Sequence, residues 1–249
     1  MNCNSFAVAS DGGYYFYPLP GGSPFKVRLT LKGVAAPQEI SRLGGSERAF
    51  VLLRQVHGTK VVPAAEALHY PEREEADGLL ITPGSPLCGL QFGDCVPVLI
   101  LSASREPWML ALHSGFRGTL KNIVASGMDA VRKEGMAADG EKLHAWVGPC
   151  ISGSCYSRSM SDPTAEEALR SFSADAVRRE GGVLYLDLKR QIARQLAAEG
   201  IPERNIWLES QCTCCRSDLF YSHRKSRGGE DPRMLLTICS SCTQKQDKS

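Results

Sequence analysis

The chain has 249 residues, of which 43% are hydrophobic and 22% are charged. This composition is that of a globular protein and excludes a wholly disordered or collagen-like chain. Lysine and arginine together number 29 against 27 aspartate and glutamate residues, which leaves a formal charge of +2. Such a balance gives no overall basic surface for nucleic acid or acidic membranes. We therefore expect small-molecule partners, with no nucleic-acid or membrane partner.

The first residues, Met1 to Ser10, contain no basic segment followed by an apolar run and a small-residue cleavage site. No apolar stretch approaches the roughly 18 residues that a membrane span needs. We therefore expect a cytoplasmic protein. In that compartment the ten cysteines are expected to bind metal or take part in chemistry more often than to form disulfides.

Short apolar, β-branched or aromatic runs predict the strands. In chain order these are Tyr14–Tyr17, Phe50–Val56, Gly78–Thr82, Cys88–Phe92, Val96–Ser102, Trp108–His113, Leu143–Val147, Val183–Leu186, Ile206–Leu208 and Met234–Ile238. Helical spacing and capping signals predict three helices. They are Arg117–Glu134, a helix from Pro163 to about Phe172 capped by Asp162, and a helix capped by Asp187 that stops at Gly200.

The strands outnumber the helices and do not alternate with them regularly. This pattern favours an α/β (α+β) fold, a single layered domain of mixed β-sheets flanked by helices, over a Rossmann sheet or a barrel. The sequence shows no internal repeat and no low-complexity linker. We therefore expect one domain over residues 1–249, with a flexible charged tail at 243–249.

Three residues at predicted strand ends form a complete set of protein ligands for a catalytic metal ion. His57 follows an apolar run, Cys95 precedes one, and His113 ends another. Two imidazoles and one thiolate suit a catalytic Zn²⁺ with an open fourth position, and their separations are too long for a zinc finger. The same residues also suit a metal-free site with Cys95 as nucleophile and a histidine as base, or a packed core.

Two further segments carry candidate binding residues. The glycine-rich turn Ser114–Gly118 precedes a predicted helix, where backbone N–H groups and the guanidinium of Arg117 suit phosphate. The alternative is a simple strand-to-helix connection with a solvent-facing arginine. The aromatic and basic segment Phe220–Lys225 suits stacking on a base or holding an anion, and is equally well read as an edge strand with a solvated basic face.

The cysteines near the C-terminus suggest a second site. Their pairs have the short spacing that closes chelate loops around a four-thiolate Zn²⁺. A disulfide between the two segments and plain reduced thiols are the alternatives, and a zinc- or redox-sensing binding protein is a reading outside catalysis. The residues concerned are Cys212, Cys214, Cys215, Cys239 and Cys242.

An ordered set of motifs from about residue 50 to residue 238 resembles the laccase-domain family. Its members are labelled multicopper polyphenol oxidase, purine nucleoside phosphorylase or peptidoglycan-editing factor. The motifs are Gln55-Val56-His57-Gly58, Ala76-Asp77-Gly78-Leu79, Gly93-Asp94-Cys95-Val96-Pro97, His113-Ser114-Gly115-Phe116-Arg117-Gly118, Gly148-Pro149-Cys150-Ile151 with Cys155-Tyr156, Asp187-Leu188, and Phe220-Tyr221-Ser222-His223-Arg224.

The resemblance implies a layered α/β fold with Zn²⁺ bound by His57, Cys95 and His113, copper being the less favoured occupant. It also implies phosphate-dependent cleavage of adenosine, inosine and in some members methylthioadenosine, with adenosine deamination as a companion activity. Nucleoside and phosphate are then the expected partners, with one zinc per chain. The resemblance leaves the oligomeric state open.

Roles for the neighbouring residues follow from this hypothesis. Arg117, with Arg224, is expected to hold phosphate, and Tyr221 or Phe116 to stack on the purine. Asp94 is expected to orient a ligand or shuttle a proton. The chain departs from the family where Gly93 replaces the usual alanine and Phe116 the usual tryptophan, which keeps the ligands but reshapes the pocket.

Two other chemistries are weighed against this one. Four-copper oxidation needs a type 1 copper and a trinuclear cluster, and five histidines without a His-x-His pair are too few ligands for them. A metal-independent hydrolase is the main alternative. In it Cys95 with His113 or His57 acts on an amide of a cell-wall precursor, and thiol alkylation stops it while a chelator does not.

Overall fold

A computed structural model describes residues 14–16, 19–20, 22–34, 36–44, 49–136, 139–226 and 232–240. In these ranges the strands are β1 Tyr14–Phe16, β2 Phe25–Thr30, β3 Phe50–Leu52, β4 Val61–Pro63, β5 Gly78–Ile81, β6 Leu87–Phe92, β7 Val96–Ser102, β8 Trp108–Ser114, β9 Leu143–Val147, β10 Ser157–Ser159, β11 Val177–Glu180, β12 Val183–Leu186, β13 Ile206–Leu208 and β14 Met234–Ser240. The α-helices are α1 Ala36–Gly44, α2 Phe116–Leu120, α3 Ile123–Lys133, α4 Pro163–Ser171, α5 Leu188–Ala198 and α6 His223–Ser226. The tail predicted at 243–249 lies outside the described residues.

The strands of the described ranges form three sheets. The first has the order β1-β2-β14-β6-β3 and is antiparallel except for the pair β3 and β6. The second has the order β13-β9-β7-β8-β5-β4, with parallel pairs at its two edges. The third is a small antiparallel sheet, β10-β12-β11. The predicted fold class, mixed sheets flanked by helices, is confirmed.

The six-stranded sheet is buried on both faces. On one face Val98, Ile100 and Leu112 pack against the helices α2 to α5. On the other face Leu99 and Met109 pack against the five-stranded sheet, whose far side is covered by α1. Burial on both faces explains why β7 and β8 are continuous apolar runs without the alternation of a half-exposed strand.

The single helix predicted at Arg117–Glu134 is wrong, because the structure has two helices there, α2 and α3. Asn122 lies between them with a positive φ of 57°, a left-handed conformation that an α-helix does not accommodate. Its side chain accepts the backbone N–H of Ala125 and so caps α3. The chain therefore turns between the two helices where the apolar periodicity continues.

Other elements agree with the sequence in part. The caps predicted at Asp162 and Asp187 are confirmed, since each carboxylate accepts a backbone N–H of the first turn. The strand predicted at Phe50–Val56 ends at Leu52, and the following residues turn towards the candidate site. Strands β2, β4, β10 and β11 and helix α1 were not predicted. None of the described helices is both long enough and apolar enough to cross a bilayer.

Candidate metal centre

His57, Cys95 and His113 meet at one end of the inner strands of the six-stranded sheet, where β7 begins and β8 ends. His57 follows β3, Cys95 directly precedes β7, and His113 lies near the end of β8. Strands β7 and β8 are antiparallel, with Pro97 opposite His113, so the start of one strand lies beside the end of the other. The ligand atoms of the three side chains lie within 4.8 Å of one another. Residues far apart in the sequence thus form one cluster.

Asp77, which was not among the predicted site residues, positions the side chain of His113 and the backbone of His57. It is fully buried, and its Oδ1 lies 2.8 Å from Nδ1 of His113. The carboxylate also accepts the backbone N–H of His57 at 2.9 Å and that of Gly58 at 2.6 Å. Because Nδ1–H of His113 donates to Asp77, the neutral imidazole carries its lone pair on Nε2, the nitrogen that faces the cluster.

The turn that carries His57 has an uncommon backbone conformation. His57 has a positive φ of 60°, which few residues other than glycine adopt. Three successive backbone N–H groups of this turn, beginning at Val56, converge on the carboxylate of Asp77. These bonds offset the strain, and strained backbone of this kind concentrates at functional sites.

The side chains of the cluster shift one another's protonation. Burial by itself raises the pKa of Cys95, but the charge of His113 and hydrogen bonds from both histidines lower it to about 6. Burial lowers the pKa of His113, but Cys95 and Asp77 raise it to about 9. Between these values the metal-free cluster holds a thiolate next to an imidazolium, and the thiolate is the form that binds metal or attacks carbon.

The donor set fits a zinc ion. Zinc takes imidazole nitrogen at about 2.0–2.1 Å and thiolate sulfur at about 2.3 Å, so its ligand atoms stand about 3.5 Å apart. The three ligand atoms here are within 4.8 Å of one another, and the bond from His113 to Asp77 is the usual orienting contact of a metal-bound histidine. Three protein ligands leave one position open, as in catalytic zinc sites.

Asp94, in the turn between β6 and β7, ties loops together. It is buried and has a positive φ of 79°. Its carboxylate accepts hydrogen bonds from the hydroxyls of Thr213 and Ser222 and from the backbone N–H of Arg224. The carboxylate that orients a histidine of the cluster is thus Asp77, and Asp94 positions the segment from Thr213 to Arg224.

Two cavities open on the cluster, and the walls of both include His57, Gly93, Cys95 and His223. The first cavity, of about 340 Å³, adds an apolar and aromatic wall and three arginines. These residues are Val56, Phe116, Ile151, Tyr156, Leu188, Arg117, Arg158 and Arg224. The second cavity, of about 360 Å³, adds Arg54, Arg73 and Arg233 with two glutamines. Both have the size of small-molecule sites.

The arginines predicted to bind anions both reach the first cavity. Arg117 is exposed in the first turn of α2. That helix has only five residues, so the anion site predicted at its N-terminus has no long helix behind it and rests on the guanidinium. The guanidinium of Arg224 points to the carbonyl of Cys155 and to Ser157, at 3.3 to 3.4 Å.

The predicted stacking residues are placed differently. Tyr221 packs half-buried against the core between the two large sheets and does not line either cavity. Phe116 lines the first cavity, but the guanidinium of Arg158 lies over its ring at 3.9 Å from the centroid. Tyr156, for which no role was predicted, is the second aromatic side chain of that wall.

Among the described residues, the predicted C-terminal cysteines do not all lie in one group. Cys212 and Cys215 lie within 4.8 Å of the thiol of Cys155, and this group does not include Cys239. Cys239 lies on β14 opposite Lys26, in the five-stranded sheet, and Cys242 lies outside the described residues. Cys155, which joins Cys212 and Cys215 in this group, comes from the loop before β10 and was not among the predicted cysteines.

We expect Gly115→Ala to weaken metal binding about tenfold, the effect of roughly 1–2 kcal/mol of overpacking. A Cβ there would lie 2.8 Å from Cδ2 of His57 and 3.0 Å from Sγ of Cys95. Zinc affinity is measured by chelator competition. Gly127→Ala, whose methyl group meets Leu110 in the core at 3.1 Å, is the matched control and should keep the wild-type affinity. Equal affinities for both variants would refute the close approach.

The lowered pKa of Cys95 predicts how alkylation depends on pH. In metal-free protein Cys95 should react with iodoacetamide at nearly constant rate above about pH 6 and roughly tenfold more slowly for each unit below it. Loss of His113 removes a lowering influence, so His113→Ala should move the midpoint upwards. Peptide mass spectrometry separates Cys95 from the other thiols. A wild-type midpoint near 9.0, the ordinary value, would contradict the interaction.

The structure is a layered α/β fold with a histidine-cysteine-histidine group that could hold a metal ion. The chain belongs to the family described as multi-copper polyphenol oxidoreductase laccase, whose model matches residues 34–241. A protein of Aquifex aeolicus named purine nucleoside phosphorylase is 27% identical over 78% of this chain and 84% of its own length. A protein of an unknown prokaryotic organism named adenosine deaminase RL5 is 27% identical over 74% of this chain and 72% of its own.

The fold has a solved counterpart. The crystal structure of YlmD from Geobacillus stearothermophilus matches with a TM-score of 0.79 and 24% sequence identity, over 95% of this chain and 99% of that one. At this identity the match shows the fold.

The histidines argue against four-copper chemistry despite the family description. The chain has five, and His57 and His113 are both in the cluster with Cys95. In the part of the chain that the structure describes, no other group of three metal-binding side chains contains a histidine. A trinuclear copper cluster needs several histidines at one place, so the residues do not fit it.

Proposed function

We propose that this protein is a zinc-dependent purine nucleoside phosphorylase acting on adenosine and inosine, with adenosine deaminase activity. The observation that carries the proposal is the cluster of His57, Cys95 and His113 placed where two arginine-lined cavities meet. The relatives named purine nucleoside phosphorylase and adenosine deaminase support it. A nucleoside, a phosphate and a metal ion are the reactants and cofactor that such an arrangement can hold together.

His57, Cys95 and His113 would hold the zinc ion, with Asp77 fixing the tautomer of His113. When bound, the ion supplies a positive charge that polarises the purine or a water molecule. The thiolate and the neutral Nε2 nitrogen leave a net charge of +1 on the centre, enough to attract a departing purine anion. His223 is in the wall of both cavities together with His57 and Cys95, and we assign to it contact with the purine base.

The nucleoside fits the first cavity. Its wall combines apolar side chains with Tyr156, whose hydroxyl accepts a hydrogen bond from Arg158 at 2.9 Å. This bond orients the ring, and the guanidinium carbons of Arg224 and Arg158 lie 5.3 and 5.6 Å from its centroid, so a stacked purine would share the ring with these arginines. We assign stacking to Tyr156 in place of Tyr221, because Tyr156 lines the first cavity and Tyr221 lines neither.

Phosphate would be held by Arg117 with Arg224 at the mouth of the first cavity. In phosphorolysis a phosphate oxygen bonds to the anomeric carbon while the bond from that carbon to the purine nitrogen breaks, and the purine takes up a proton. Positive charge grows on the ribose in the transition state, so an anion fixed next to it lowers the barrier. Guanidinium groups hold phosphate with paired, charge-assisted hydrogen bonds.

We expect Arg117→Met to raise the KM for phosphate about tenfold or more, which corresponds to one lost charge-assisted bond of about 1.5–3 kcal/mol. The KM for adenosine should change little. Arg54→Met, which removes an arginine from the second cavity, is the matched control. Phosphorolysis is followed by the release of ribose 1-phosphate at varied phosphate. A phosphate KM that responds to Arg54→Met and not to Arg117→Met would place the phosphate in the second cavity.

A metal-free hydrolase is the second candidate function. Asp77, His113 and Cys95 are linked in that order, and the thiol of Cys95 has its pKa lowered to about 6. An acid, a base and a nucleophile in such a row are the elements of cysteine-dependent amide hydrolysis, here of a cell-wall precursor. Chelation distinguishes the two proposals, since it stops the phosphorylase and leaves the hydrolase active until the thiol is alkylated.

A further inference from the structure

A second cluster of three thiols lies apart from the histidines. The Sγ atoms of Cys155, Cys212 and Cys215 are within 4.8 Å of one another, and those of Cys155 and Cys215 are 3.4 Å apart. Thiolates that share one tetrahedral zinc ion, with bonds of about 2.3 Å, stand about 3.8 Å apart. The spacing of the three sulfur atoms is therefore that of a metal-binding group.

The local backbone resembles that of thiolate metal sites. Cys212 and Cys215 have two residues between them, the spacing that lets one short loop present two thiolates to the same ion. The sulfur of Cys212 accepts the backbone N–H of Ser152 at 3.3 Å. This bond stabilises a thiolate at Cys212.

The three cysteines differ in their exposure to solvent. Cys212 is buried, Cys155 is half-buried and Cys215 is exposed, so one side of the group is open for an ion to enter. Cys214, also half-buried, lies in the same loop as Cys212 and Cys215 and adds a further sulfur to it. None of the described cysteines forms a disulfide.

We propose that Cys155, Cys212 and Cys215 bind a second metal ion, a thiophilic cation of which Zn²⁺ is the resident form. This site is independent of His57, Cys95 and His113. Its soft sulfur ligands select Zn²⁺ or Cu⁺ over Mg²⁺ or Ca²⁺. The fourth position is filled by Cys214 or by water.

The proposed ion would join two loops that reach the first cavity. Cys155 precedes Tyr156 in the wall of that cavity. Thr213, within the loop of Cys212 and Cys215, donates its hydroxyl to Asp94 at 2.6 Å, and Cys95 follows Asp94 in the chain. An ion held by both loops therefore fixes the wall of the cavity relative to the histidine-cysteine centre, and its role is structural.

The test separates the three-cysteine group from the centre formed by His57, Cys95 and His113. The full chain carrying His57→Ala and Cys95→Ala is reduced, stripped of metal and titrated with Co²⁺, whose absorption reports thiolate ligands and tetrahedral geometry. We expect one equivalent to bind with sulfur-to-cobalt charge transfer, and Zn²⁺ to displace it. Adding Cys155→Ser and Cys215→Ser should remove this absorption. Adding Cys239→Ser, a half-buried thiol on β14, should leave it unchanged.

A second measurement does not depend on the folding of that variant. The zinc content of the otherwise wild-type protein should fall from about two ions per chain to about one in Cys155→Ser with Cys215→Ser, and stay at about two in Cys239→Ser. The proposal is overturned if the reduced protein without the first centre binds no Co²⁺. It is also overturned if wild-type and Cys155→Ser/Cys215→Ser proteins carry the same zinc content, or if intact mass and peptide mapping show a stable disulfide between Cys155 and Cys215.

Discussion

Cys95→Ala is expected to abolish phosphorolysis and deamination together, with kcat/KM for adenosine falling by roughly a thousandfold or more. Cys95 supplies the only thiolate of the first centre, and loss of it removes both a ligand and half of the thiolate–imidazolium pair. A metal ion contributes several kcal/mol to stabilising charge in a transition state. About 4 kcal/mol corresponds to a thousandfold in rate.

The measurement is steady-state turnover of adenosine with and without phosphate, combined with metal analysis of the variant. Cys88→Ala is the control, because Cys88 is a buried thiol on β6, away from the cluster. Control activity should stay near that of the wild type. Retention of either reaction at the wild-type rate by Cys95→Ala would show that the two activities do not share this centre.

Asp77→Asn is expected to weaken zinc binding by roughly 10- to 100-fold, as replacement of an orienting partner typically does. The carboxylate accepts hydrogen bonds from His113 and from the turn of His57. An asparagine amide presents a donor where Nδ1–H of His113 also donates. The ring then adopts the tautomer with its proton on Nε2, so the nitrogen that faces the cluster loses its lone pair.

Chelator competition measures the affinity, and the ¹⁵N shifts of His113 report the tautomer directly. Asp129→Asn removes a carboxylate from a surface ion pair with Arg132 on α3 and serves as the control for a change of charge. Wild-type zinc affinity in Asp77→Asn, or an unchanged tautomer, would contradict the role that the hydrogen bonds assign to Asp77.

The sequence was informative where one residue type stood out against its surroundings. His57 follows an apolar run, Cys95 precedes one and His113 ends another. Functional residues concentrate at the ends of strands, so a meeting of the three could be anticipated. Strand β2 carried a usable signal that was missed, because Phe25, Val27 and Leu29 alternate with polar residues as in a half-buried strand.

Other features depend on contacts that local patterns do not record. Asp77 is an isolated aspartate directly before a buried strand. It contributes to the site because its carboxylate accepts N–H groups of a turn some twenty residues earlier in the chain. Cys155 joins Cys212 and Cys215 only because the loop before β10 lies against theirs. The apolar periodicity continues through Asn122, although the helix is broken there. The polar asparagine was the available signal for a helix cap, and the prediction followed the apolar pattern instead.

The central claim is tested most directly by incubating metal-analysed protein with adenosine, with and without phosphate and with and without a chelator. Adenine, inosine, hypoxanthine and ribose 1-phosphate are resolved by chromatography. The proposed function predicts adenine and ribose 1-phosphate only when phosphate is present, inosine in either case, and neither after chelation. Absence of all products from protein with zinc bound to His57, Cys95 and His113 would contradict nucleoside chemistry at this centre.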